Sequence, residues 1–233
     1  MKLQKQDRLF LAKQRESKET AQYKRQCTFN FESVQDSNKT AVAQLYALND
    51  DTLMGGQKTT FEIGKDSYLI IIPITGAVNY LDDAGNETDI DVEETIVVFV
   101  EKGTHVILSN PFENDMVNYL CLFLDEAEFS PNNPQYFNFD LSNPNQLIKI
   151  ESNALPFNLH IGRFDGGKEA KHSPSKNSCF YTFVITGTFE VDGRLLHEKD
   201  SLALWGTNEI KLEALCNHAV IVTLEMPEKN KIS

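Results

Sequence analysis

The stretch Thr60-Phe-Glu-Ile-Gly-Lys-Asp-Ser-Tyr-Leu-Ile-Ile-Ile-Pro-Ile-Thr-Gly-Ala-Val-Asn-Tyr80 holds the pattern that decides the fold. An apolar run over residues 68–74 meets Thr75-Gly76, and an alternating segment follows over residues 77–81. Alternation with a period of two marks a strand with one buried face, and a glycine between two such runs supplies a turn. The same order returns at Val184-Ile-Thr-Gly-Thr-Phe-Glu-Val191. Later features correspond as well: Ala84-Gly85 is matched by Asp192-Gly193, and residues 91–100 are echoed by residues 199–205. A repeat that keeps both order and turn chemistry predicts two copies of one β-unit.

Outward from this pair the pattern persists. Short apolar-alternating runs at 42–48, 95–100 and 119–124 precede others at 160–164, 180–185, 188–191, 201–205, 209–214 and 219–226. Turn residues such as Asp82-Asp-Ala-Gly-Asn86 separate them, and helical periodicity is almost absent, so the chain reads as all-β. Ser130-Pro-Asn-Asn-Pro134 and Asn143-Pro-Asn145 interrupt the pattern and place a boundary between the halves. The expected organisation is an arm over residues 1–26 laid against the first barrel, a first barrel at 27–128, a linker at 129–157 and a second barrel at 158–233.

The 34 acidic and 22 basic residues give a net charge of -12, which repels phosphate backbones and anionic membrane surfaces. No direct nucleic-acid or membrane partner is expected. No window reaches the roughly 18 apolar residues of a membrane helix, and the first residues lack the apolar core of a signal peptide, so the cytoplasm is the expected compartment. Cys27, Cys121, Cys179 and Cys216 show no C-x-x-C spacing and read as buried reduced thiols.

Cys27-Thr-Phe-Asn-Phe31, Leu45-Tyr-Ala-Leu-Asn-Asp-Asp-Thr-Leu53, residues 76–86, residues 103–111 and Leu202-Ala-Leu-Trp205 together resemble the pirin family, close to the bacterial branch that includes quercetin 2,3-dioxygenases. The resemblance covers residues 10–227 and implies a bicupin, two cupin barrels of jelly-roll type. It further implies an iron-type ion in the first barrel, held by a His-x-His pair, a later His and a Glu two positions on, a set suited to a divalent first-row metal. Aligned on Gly76, Gly103 and Asn110-Pro111, those positions carry Glu62, Gly64, Val106 and Leu108. Three of the four cannot donate to a metal. The resemblance thus implies a degenerate metal site with no cofactor and no catalytic residue, beside a pocket lined by Glu62, Tyr68, Val106 and Leu108. Such a protein would bind a small molecule or a protein partner without redox chemistry. The alternative is a dioxygenase of the quercetinase type that keeps iron or another divalent ion through Glu62 and His105.

Remaining features point to less. His160 and His172 would form a pocket pair across two strands, but read more simply as surface or loop residues, like His197 and His218. The Gly-Gly pairs at 55–56 and 166–167 are turns and not phosphate loops. Ser173, Ser178 and Cys179 near His172 are weak evidence for a nucleophile, and Asp82-Asp83 and Glu93-Glu94 read as solvated. Trp205, Phe180, Tyr181 and Phe183 read as core packing.

Overall fold

The computed structural model describes residues 6–31, 36–37, 39–125, 134–150 and 155–228. Two compact units divide the chain: a continuous one, Arg15–Asn138, and a discontinuous one, Met1–Gln14 with Phe139–Ser233. The discontinuous unit begins with β1 (Gln6–Phe10) and a single 3-10 turn (Ala12–Gln14). The continuous unit contains β2 (Glu16–Glu19), β3 (Tyr23–Cys27), β4 (Leu45–Leu53), β5 (Lys58–Glu62), β6 (Ser67–Thr75), β7 (Val78–Asp82), β8 (Glu87–Ile90), β9 (Glu94–Val100), β10 (His105–Ser109), β11 (Val117–Asp125) and β12 (Gln135–Asn138). The discontinuous unit resumes with β13 (Ile148–Ile150), β14 (Asn158–Phe164), β15 (Glu169–His172), β16 (Ser178–Thr186), β17 (Phe189–Val191), β18 (Arg194–Leu196), β19 (Ser201–Trp205), β20 (Ile210–Ala214) and β21 (Ala219–Pro227). Among the described residues there is no α-helix, so none is long and apolar enough to cross a membrane.

In the continuous unit a seven-stranded sheet, β12-β9-β6-β11-β4-β3-β2, shares one core with a four-stranded sheet, β5-β10-β7-β8. The discontinuous unit combines β1-β19-β16-β21-β14-β13 with β15-β20-β17-β18. The central orders β9-β6-β11-β4 and β19-β16-β21-β14 correspond, as do the two four-stranded sheets, so one all-β unit is built twice. Each sheet order ends in edge strands, so the units are open jelly-roll sandwiches, the jelly-roll type expected from the resemblance.

The Ile-Thr-Gly repeat has a structural cause. Gly76 and Gly187 take φ of +70° and +84°, which glycine adopts without steric cost. A Cβ at Gly76 would lie 2.6 Å from Val117 Cγ1, and one at Gly187 would lie 2.7 Å from Ala219 Cβ. In both units the preceding strand also shifts register against its partner, β6 against β11 and β16 against β21. A bulge followed by a left-handed turn is therefore built twice, at the same place in each unit.

Two expectations need correction. The arm is not one piece against the first barrel: β1 pairs with β19 of the discontinuous unit, whereas β2 and β3 extend the seven-stranded sheet onto β4. Edge strands offer unpaired backbone groups, and the arm supplies pairing to two of them. The expected linker contains β12 and β13, which pair with β9 and β14, while residues 129–133 and 151–154 lie outside the described residues. β12 draws its stability from β9, far back along the chain, which local composition does not reveal, whereas β13 pairs with the strand that follows it.

Candidate functional site

In the continuous unit β10 runs antiparallel to β5, with His105 opposite Glu62, Val106 opposite Phe61 and Leu108 opposite Thr59. Side chains alternate between the faces of a strand, and the burial follows that period. Phe61, Ile63, Val106 and Leu108 belong to the core, whereas Glu62, Gly64 and His105 are exposed. The expected pocket joining Glu62 and Gly64 with Val106 and Leu108 is thus not formed. A one-residue offset along β5 moves a side chain to the opposite face.

His105 is held outside by Asp83, which accepts from its backbone N–H at 2.7 Å and lies 3.0 Å from Nδ1. The backbone bond first, and the ring second, keep the Asp83 carboxyl below its ordinary range. Tyr68 does not line that pocket either. It is buried, but its neighbour Leu69 enters the core while Tyr68 packs edge-on against Phe99, 5.6 Å between ring centres.

The interior of this unit is closed by a different device. Arg25 on β3 and Asp51 on β4 are register partners, 3% and 1% exposed. Nε of Arg25 donates to both Asp51 oxygens at 2.9 and 3.1 Å, and Nη2 donates to Oδ2 at 2.7 Å. The guanidinium lies 5.1 Å from the ring centre of Phe31 and 5.8 Å from those of Phe61 and Tyr23. Burial works against its charge, and Asp51 outweighs that, holding Arg25 above its ordinary range. Nearby, burial pushes the Tyr119 hydroxyl and the Cys121 thiol well up, so both stay protonated.

These residues do not fit the ion that the pirin resemblance implies for this unit. The inward positions of β5 and β10 offer hydrocarbon, and both oxygens of Asp51 are already committed to a cation that repels a second one.

The discontinuous unit is different. Along β21 the residues Ala219, Ile221, Thr223 and Glu225 share one face, and Ala219 and Ile221 point it into the core. Glu225, 5% exposed, carries that face's only charge. Its Oε2 lies 2.8 Å from Nε2 of His172, and its Oε1 accepts the Ser175 backbone N–H at 2.7 Å. A carboxylate accepts, so the proton of that pair sits on Nε2. His160 stands opposite Thr223 on β14, its ring edge-on to His172 with centres 5.2 Å apart. The other side of His172 lies over Phe180 at 5.1 Å.

Electrostatics fix the charge states here. Burial raises the Glu225 carboxyl, but bonds from His172 and Ser175 outweigh it and bring it down to about 2. Burial, and then His172, lower His160 to about 4, so its ring is neutral at pH 7. Neither His160 Nδ1 nor the Thr223 hydroxyl has a hydrogen-bond partner among the described residues, although both are buried. Glu225 also lines an open cavity of about 260 Å³ with Phe157, Asn158, Ser175, Ser178 and Met226. Among the described residues no group of three or more His, Cys, Asp or Glu side chains is arranged as it stands to hold a metal ion.

The structure therefore brings His160 and His172 together, where surface or loop positions are expected, and it adds Glu225. One sign of Glu225 was legible: it is the single charge in the apolar run 219–226, in phase with Ala219 and Ile221.

Residues 145–226 match the family described as quercetinase C-terminal cupin domain. No curated protein matches the chain by sequence. Among solved structures, YhhW from Escherichia coli is similar with a TM-score of 0.84 at 17% identity, over 96% of this chain and 99% of that one. A second structure of that bacterial pirin, in complex with nickel(II), gives 0.81 at 16% identity over 96% and 100% of the two chains. Quercetin 2,3-dioxygenase from Acinetobacter baumannii gives 0.72 at 13% identity over 97% and 80%. The chain thus shares the bicupin fold of the bacterial pirin over almost its whole length, and its residues 145–226 match the quercetinase C-terminal cupin family.

Proposed function

We propose that this protein is a pirin-like binding module whose first unit has given up its metal centre and performs no redox chemistry. One observation carries the reading. The inward row of that unit is Phe61, Ile63, Val106 and Leu108, closed by the Arg25–Asp51 pair, with no donor set for an ion that would activate dioxygen. The ligand seat is the cavity of the other unit. Phe157 and Met226 give it an apolar wall, and Glu225 accepts a hydrogen bond, so it suits a small, partly apolar molecule with a donor group. A protein partner is the second possibility for the same role. The acidic balance argues against nucleic acid and membrane partners, and the cytoplasm is the proposed compartment.

The rival reading is a quercetin dioxygenase, which the fold favours and the donor set of the first unit does not. Oxygen uptake with quercetin, in the presence of added iron(II), nickel(II) or copper(II), decides between them. No uptake above that of the metal alone is expected, whereas sustained turnover would overturn the binding-module reading. In parallel, ligand-observed NMR with a fragment set should give hits that Asn158→Trp, which fills the cavity, abolishes.

A further inference from the structure

We propose that the discontinuous unit holds a site for one divalent transition-metal ion, with His160, His172 and Glu225 as ligands. This is the opposite half of the fold from the centre that the resemblance implies, and it does not depend on what the first unit does.

Distances carry the inference. An ion bound to an imidazole nitrogen and a carboxylate oxygen at about 2.1 Å holds those atoms about 3.0 to 3.4 Å apart. Nε2 of His172 and Oε2 of Glu225 are 2.8 Å apart, so an ion replaces the proton between them with little movement. Two imidazoles on one ion have ring centres about 4.6 to 5.3 Å apart. Those of His160 and His172 are 5.2 Å apart. The rings are thus correctly spaced, and only the aim of His160 must change, by rotation of a ring whose buried Nδ1 has no partner among the described residues.

Supporting groups are already in place. The Ser175 N–H fixes Oε1 of Glu225, as outer partners orient ligands in metal sites. The Thr223 hydroxyl, opposite His160, is available to a bound water. Glu225 also lines the open cavity, the entry path for the ion, although neither histidine lines it. Two imidazoles and one carboxylate select zinc, nickel or iron(II) over magnesium or calcium. Binding changes no oxidation state: the ion takes the lone pair on Nε2 of His172, and the proton that sat there passes to Nδ1 of the same ring, so that a neutral imidazole is the ligand.

Calorimetric titration of metal-stripped protein with nickel(II) and with zinc(II) tests the site. One equivalent, bound saturably, is expected. His160→Ala and Glu225→Gln, each shown to be folded by circular dichroism, should lower affinity at least about tenfold. Glu62→Gln with His105→Ala should leave it unchanged. In the unaltered chain, bound cobalt(II) should shift imidazole proton resonances of two histidines, a readout that needs no variant. Absence of saturable one-to-one binding, binding that survives both His160→Ala and Glu225→Gln, or shifted resonances from fewer than two histidines overturns the proposal.

Discussion

Replacing one member of the Arg25–Asp51 pair should be far more damaging than replacing both. The two side chains are 3% and 1% exposed and share three hydrogen bonds, so neither has water to fall back on. Arg25→Met keeps an apolar stem against Phe31 but leaves the Asp51 carboxylate buried without its cation. Asp51→Leu does the reverse. Breaking a buried pair in this way costs about 3 to 5 kcal/mol, whereas exchanging both members for hydrocarbon of similar volume is often neutral or stabilising by about 1 to 4 kcal/mol. With a slope of about 2 kcal/mol per molar urea, each single change should lower the unfolding midpoint by about 2 M. The double variant should return to within about 0.5 M of the unaltered chain, or pass above it. Equilibrium urea unfolding of all four proteins gives the coupling energy directly. Simple addition of the two single losses in the double variant would refute the view that this pair closes the interior as a unit.

Two further outcomes follow from local geometry and charge. Gly187→Ala puts a methyl 2.7 Å from Ala219 Cβ at φ of +84° and should cost about 2 to 4 kcal/mol, whereas Gly64→Ala meets nothing within 4 Å and should stay within about 0.5 kcal/mol; similar shifts in thermal unfolding for both would contradict the assigned roles. His160 is lowered from 6.5 to about 4, so the unfolded chain takes up that proton first and stability falls as pH drops through this window. Glu225 is lowered from 4.5 to about 2, so its contribution is complete above about 4.5 and is lost toward about 2. In a pH series of urea unfolding, His160→Gln should remove the first fall and leave the second; an unchanged slope between 6.5 and 4 would refute the assignment.

The fold was legible because its cues are local. An apolar run, a positive-φ glycine and an alternating run need no distant partner to be recognised, and both copies carry them. The face of β5 was also written locally, since Phe61 and Ile63 alternate with Glu62 and Gly64, but alignment through Gly76 set that row one residue off. Arg25–Asp51 was harder to read. Asn49-Asp-Asp51 reads as a polar stop after the run at 42–48, yet β4 continues through it to Leu53 because Arg25 of the adjacent strand neutralises the inward charge. His160, His172 and Glu225 lie on three strands, and only the register of β14 against β21 and the fold of β15 over them bring the groups together.

The pairing of β1 with β19 also sets an order of events during synthesis. The continuous unit, Arg15–Asn138, is complete once its own residues have left the ribosome, and domains generally fold as units in that order. Residues 6–10 are made before any of it, but their partner strand, Ser201–Trp205, emerges only after it. Until then Leu9 and Phe10 have no sheet to join. The discontinuous unit therefore finishes only by recapturing a segment made before the continuous one, which Ala12 N–H to Asp200 Oδ1, 2.7 Å, and Arg194 Nε to Asp7, 2.7 Å, then fasten. Loop-closure entropy rises only slowly with length, so the distance itself is a modest obstacle. The greater exposure is in time: the uncovered edge of β19 is open to wrong partners for as long as the early strand is late in returning.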